Sequence, residues 1–139
     1  MTDPLLTRIR TSFDASPMLA TLGARLTEVE EGRVEIRAPI LPGSRQQQGF
    51  GHAGLSFTIG DTAAGYAALT RAPAGHEVVT VEIKINLLAP AMGDELVATG
   101  HLVRAGRSLS VVTAEVVAMT GDRAKTVALL QGTMMPVPL

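Results

Sequence analysis

The stretch from Ala53 to Leu69 constrains this chain more than any other. It is apolar or small almost throughout, and Leu55, Ile59, Ala63, Tyr66 and Leu69 recur along it at helical spacing, with no proline before Pro73. That pattern predicts one buried helix. Gly60 and Gly65 lie in its interior, where each glycine costs about 1 kcal/mol relative to alanine. Packing must offset the loss. With Gly54, Ala63, Ala64, Ala67 and Ala68 they make a thin cylinder that a sheet can approach closely on several sides, so the helix is expected to be wrapped.

Between Leu55 and Arg71 there is a single acidic residue, Asp61. A carboxylate rarely sits in a buried helix without a partner, so Asp61 is either on the helix rim, solvated or bonded to backbone, or a reactive group in a pocket. The helix start favours the pocket. There, Ala53 and Gly54 offer unpaired backbone N–H groups at the positive end of the helix dipole, a site that would polarise a carbonyl oxygen.

These residues carry a family resemblance. The run Gln46-Gln47-x-Gly49-Phe50-x-His52-Ala53-Gly54, followed by Asp61-Thr62-Ala63-Ala64-Gly65-Tyr66-Ala67-Ala68, resembles the signature of hotdog-fold acyl-CoA thioesterases of the phenylacetyl-CoA thioesterase-like group. The likeness continues through Thr80 to Ala91 and through Arg104-Ala105-Gly106-Arg107-Ser108, covering about residues 15–135. Two positions depart from the commoner pattern. Ala53 stands where His-Gly-Gly members have glycine, and Gln46 where many have asparagine. A backbone N–H and an amide side chain survive both changes, so substrate preference is what they touch.

At 139 residues, with 46% hydrophobic residues and a formal net charge of −1, the chain supports a single domain spanning residues 1–139. A pI near 6.3 and the lack of any block of like charges argue against nucleic acid as a partner. There is no cysteine, which excludes disulfides and thiolate metal sites and fits a cytoplasmic protein. His76 and His101 show no metal-ligand spacing, so no metal is assigned. No secretory signal is read at Met1-Thr2-Asp3-Pro4, and no apolar run is long enough to span a membrane.

In chain order, residues 3–16 read as a short helix capped by Thr2 or Asp3, with Leu5, Ile9 and Phe13 on one face and Pro17 ending it. Strands are expected over 22–30 and 33–39, hinged at Glu31-Gly32, before a loop over 39–51. After the helix and a turn at 71–75, Val79, Val81, Ile83, Ile85 and Leu87 alternate with polar residues in a further strand. Three more follow over 95–103, 108–119 and 124–135, the last closed by Pro136 and Pro138. The expected class is α+β. About six antiparallel strands surround one long central helix, which is the hotdog fold that the resemblance implies. An open sheet edge calls for pairing, and the resemblance implies a homodimer and a dimer of dimers, with sites at the dimer interface.

A thioesterase without a serine, cysteine or metal nucleophile needs a carboxylate and donors aimed at the carbonyl oxygen. By resemblance, the Ala53 N–H of one subunit is that donor, Asp61 comes from the other, and Thr80 holds the carboxylate or its water. Around them, His52 reads chiefly as a helix cap, and Gln46 either orients the carbonyl or the water or is merely part of a polar loop, with Gln47 and Gln48 in reserve. Gly54 and Asn86 are assigned to the substrate, and Arg104 and Arg107, flanking a turn, to the phosphates of coenzyme A. No cofactor is required, since coenzyme A is part of the substrate. Few aromatics suggest a mainly aliphatic pocket. Two alternatives remain: a hotdog hydratase, whose Asp and His motif is not found, and a non-catalytic acyl-CoA binding or sensing module.

Overall fold

The computed structural model describes residues 3–139. Helix α1 (Pro4–Asp14) and the one-turn α2 (Pro17–Thr21) precede strands β1 (Arg25–Glu30) and β2 (Arg33–Pro39). Helix α3 (Ala53–Leu69) comes next, then β3 (His76–Leu87), β4 (Glu95–Ala105), β5 (Ser110–Thr120) and β6 (Arg123–Pro138). All strand pairings are antiparallel, and the six-stranded sheet has the order β1-β2-β4-β5-β6-β3. The sheet curls around α3. This is the expected hotdog arrangement.

Because α3 is apolar on every side, it is covered on almost every side: Ile59, Ala63 and Ala64 are fully buried in one cluster with Ile36, Leu96, Ala98, Val112, Val116 and Leu130. The closest approach is at Gly100 of β4. A Cβ there would coincide with the backbone of Ala63 and Ala64, so a helix can cross the strand only where it carries no side chain. Gly60 answers the same need, since an added Cβ would meet Leu130 Cδ1 at 2.8 Å. Gly65 differs, with nothing nearer than Met134 at 3.8 Å. Gly100→Ala should therefore destabilise the protein by about 3 kcal/mol through overpacking, whereas Gly65→Ala should be neutral or gain up to about 1 kcal/mol of helix propensity. Denaturant midpoints of the two variants check this, and equal midpoints would contradict it.

Helix α1 closes the open side of the barrel with Ile9 and Phe13, the latter 6.4 Å from the Tyr66 ring. Its Asp3 caps the Leu5 N–H; the other candidate cap, Thr2, lies outside the described residues. From the same helix Arg8 donates to the carbonyls of Ala72, Pro73 and His76, pinning the turn that follows α3.

Three expectations need correction. Pro17 does not merely end α1: it opens α2 at the first helical position, where its missing N–H has no partner to lose. Nor does β3 keep one alternation, because a bulge between Thr80 and Glu82 shifts the phase. Val78, Ile83 and Ile85 pack on the core, while Val79 and Val81 are exposed. Finally, Pro136 and Pro138 lie within β6. Beyond Met134 that strand pairs only with β3, so a proline is tolerated on the side that has no neighbour.

Candidate active site

The start of α3 is built by the loop before it. His52 occupies the N-cap, its Nδ1 accepting the Gly54 N–H at 2.8 Å, so the ring acts as a helix cap with its proton on Nε2. The expected cap is there. The His52 N–H itself donates to Ser44 O at 2.8 Å, which fixes the entry angle of the chain. Since Gly54 and Leu55 donate to His52, the Ala53 N–H is left with no acceptor among the described residues, and Ala53 is exposed. Ala53 borders a cavity of about 530 Å³ lined by Gln46, His52, Leu87, Leu88 and Pro90 among others, and a second of about 470 Å³ lined by Gly54, Phe57 and Ile85 among others. Gln46 borders this cavity, but its Oε1 accepts the N–H groups of Gln48 and Phe50. Its amide oxygen shapes the loop.

Asp61 sits two turns further along α3 and opens on a different cavity, of about 250 Å³. Thr80 donates to Asp61 Oδ1 at 2.7 Å, and Oδ2 has no donor among the described residues. Thr80 shares the helix-facing side with Val78 two residues before it, and the bulge that follows brings Ile83 and Ile85 back to that side. Gly65, at helical spacing i+4 from Asp61, keeps that side of the cavity open, a signal the sequence already contained. The remaining lining was not foreseen: Tyr66 donates to Ser12 Oγ and Ser12 to Glu77 Oε2, each at 3.1 Å, a relay joining three elements. The cavity is thus half polar. No local pattern relates Ser12 to residues more than fifty positions away, so only the fold reveals them.

Burial raises the Asp61 carboxyl above its ordinary value, and the Thr80 hydrogen bond opposes that rise. No arginine, lysine or histidine lines the cavity to offset the desolvation. Because folding raises this pKa, the protonated carboxyl adds stability below the ordinary value of 3.8, and the contribution is lost as pH climbs through the native value. Keeping the carboxylate at neutral pH therefore weakens the fold.

Within one chain Ala53 and Asp61 are about 12 Å apart along the helix axis and face separate cavities. Asn86 stands on the opposite face of β3 from Ile85. It pairs with the exposed Leu129 on the outer face of the sheet. Arg104 and Arg107 lie on the β4–β5 hairpin; Arg107 borders a cavity of about 410 Å³ with Arg71 and His76 beyond the C-terminal end of α3. Among the described residues no cluster of His, Asp or Glu suits a metal, and no helix is long and apolar enough to cross a membrane.

Against known proteins, a family model described as "Thioesterase superfamily" matches residues 48–125. A solved thioesterase family protein from Silicibacter pomeroyi is 37% identical, covers 97% of this chain and 99% of its own, and superposes with a TM-score of 0.94. The Escherichia coli PaaI protein from the phenylacetic acid degradation operon is similar in fold, at 22% identity, a TM-score of 0.85 and coverage of 96% and 93%. A Halobacterium salinarum protein carrying a provisional esterase name is 30% identical over 78% of this chain and 75% of its own.

Proposed function

The chain belongs to the thioesterase superfamily, and from that premise we propose that it hydrolyses acyl-CoA or aryl-CoA thioesters to the free acid and coenzyme A. One observation carries the reading: Asp61 is a half-buried carboxylate with one oxygen held by Thr80 and the other open to a cavity. That is the state in which a carboxylate removes a proton from water or attacks a carbonyl carbon. The thioester oxygen takes up negative charge in that step. The unpaired Ala53 N–H, at the positive end of α3, is the donor suited to receive it.

Two turns of helix between donor and carboxylate mean that one chain does not complete the site. A second copy supplies the missing half when two α3 helices run antiparallel across a dimer, setting Asp61 of one subunit beside Ala53 of the partner subunit. Support for such a dimer comes from β3, which has a strand neighbour on one side only and exposes Val79, Val81 and Leu87. A dimer of dimers is the larger assembly we assign.

A screen of hydrolysis over acyl chain lengths and aryl-CoAs, each with its pH profile, tests the proposal. Activity requires ionised Asp61, so the acidic limb of kcat/KM should lie above the ordinary aspartate range, in the direction burial drives it. Thr80→Val removes the one hydrogen bond that opposes burial and should move the limb to higher pH. No turnover of any thioester, or a limb that ignores Thr80, would sink the assignment.

A further inference from the structure

We propose that Arg123 and Lys125, at the start of β6, bind the phosphates of the coenzyme's adenine nucleotide. The proposal rests on the acyl-CoA reading above and deepens it. Cross-strand partners share a face of a sheet, and Arg123 pairs with Thr120 while Lys125 pairs with Ala118, which is buried on the inner, helix-facing side. Both cations therefore stand on the concave face, where the β5–β6 hairpin reaches beyond the start of α3. Most positions on that face are apolar and filled by the helix. Here the helix has not yet begun, and a cavity of about 580 Å³ takes its place, walled by Pro90, Met92 and Thr120 with Arg123 and Lys125.

This cavity adjoins one that Ala53 borders, since Pro90 lines both. The contact is fixed by backbone: Leu88 donates to Val127 O at 2.8 Å, which lays the segment before Pro90 along β6 two residues from Lys125. A thioester whose carbonyl sits at Ala53 thus has a continuous path over Pro90, with cations at its end and apolar Pro90 and Met92 beside them for a base. Neither Arg123 nor Lys125 forms an ion pair among the described residues, although Asp122 is adjacent in the chain and Asp94 accepts the Gly121 N–H nearby. Unpaired cations beside a cavity suit a ligand with several negative charges, and a nucleotide carrying a pyrophosphate and a further phosphate is one. By contrast, the cavity bordered by Arg107 includes Ala68, about 22 Å along the helix from Ala53. On the subunit that supplies the oxyanion donor, the nearer cations are Arg123 and Lys125.

The test is calorimetric titration of free coenzyme A into the intact protein and into two double variants, with thermal melts as the folding control. Arg123→Gln with Lys125→Gln should weaken binding about 10-fold or more and flatten its dependence on salt. Arg123→Lys with Lys125→Arg, which keeps both charges, should stay within about threefold of the parent. Unaltered affinity in the first variant or an equal loss in the charge-keeping one would each overturn the proposal. The catalytic reading fails separately. If coenzyme A affinity depends on Arg123 and Lys125 while Asp61→Asn hydrolyses thioesters at the parental rate, the phosphate site stands and the mechanism falls.

Discussion

Asp61→Asn should lose on the order of 100-fold or more in kcat while folding normally and binding coenzyme A as the parent does. The substitution keeps the size of the side chain and an oxygen able to accept from Thr80, so it removes charge without opening a cavity. It also removes a desolvated carboxylate, whose raised pKa marks a cost to the folded state at neutral pH. The variant should therefore melt at the parental temperature or above it at pH 7. Loss of turnover with unchanged or higher Tm is the signature of a reacting group; loss of both would mean that Asp61 serves the fold. Near-parental turnover on a substrate that the parent clearly hydrolyses would end the mechanism and favour a binding module.

A comparable loss is expected from Ala53→Pro, which deletes an N–H that no other group among the described residues engages. Removing one oxyanion donor typically costs about 100- to 1,000-fold in kcat. Proline at the first helical position also suits α3, since that N–H makes no helical bond and the fixed φ matches the helix. The two inactive variants then give a direct test of a site shared between subunits. In a hybrid dimer the Asp61→Asn subunit brings an intact Ala53 and the Ala53→Pro subunit an intact Asp61, so one of its two sites is whole. Unfolding and refolding an equal mixture should restore about a quarter of the parental activity, because about half of the dimers are hybrids with one working site each. A mixture no more active than its components would show that each chain works alone, and so would full activity in a monomer.

How much of this was legible beforehand depended on how local each cause is. The bounds of α3 follow from an apolar run that opens after a loop and ends at a turn, and both expected ends, Ala53 and Leu69, are those observed. His52 as the cap is equally local, a side chain reaching two residues ahead. The strands were placed to within a few residues by alternation and by the glycines between them. Gly60 could be read as a point of close packing from helix propensity alone. Its counterpart Gly100 could not, because nothing in β4 announces which residue the helix crosses.

What the chain alone settled, then, is the set of elements and the chemical types available to them: an acid inside an apolar helix, a donor at its start, and a polar loop before it. Each follows from period, capping or turn chemistry, acting over a few residues. The tertiary structure decided which groups meet. A one-residue bulge at Val81 lets Thr80 face Asp61 while Ile83 and Ile85 stay on the core, α1 brings Ser12 to Tyr66 and Glu77, and the overhang of the β5–β6 hairpin carries Arg123 and Lys125 beyond the helix start. It also sets Ala53 and Asp61 on separate cavities of one chain. These outcomes depend on register and packing between segments far apart in sequence, where shifting a strand by one residue exchanges its faces, and no local pattern fixes that choice.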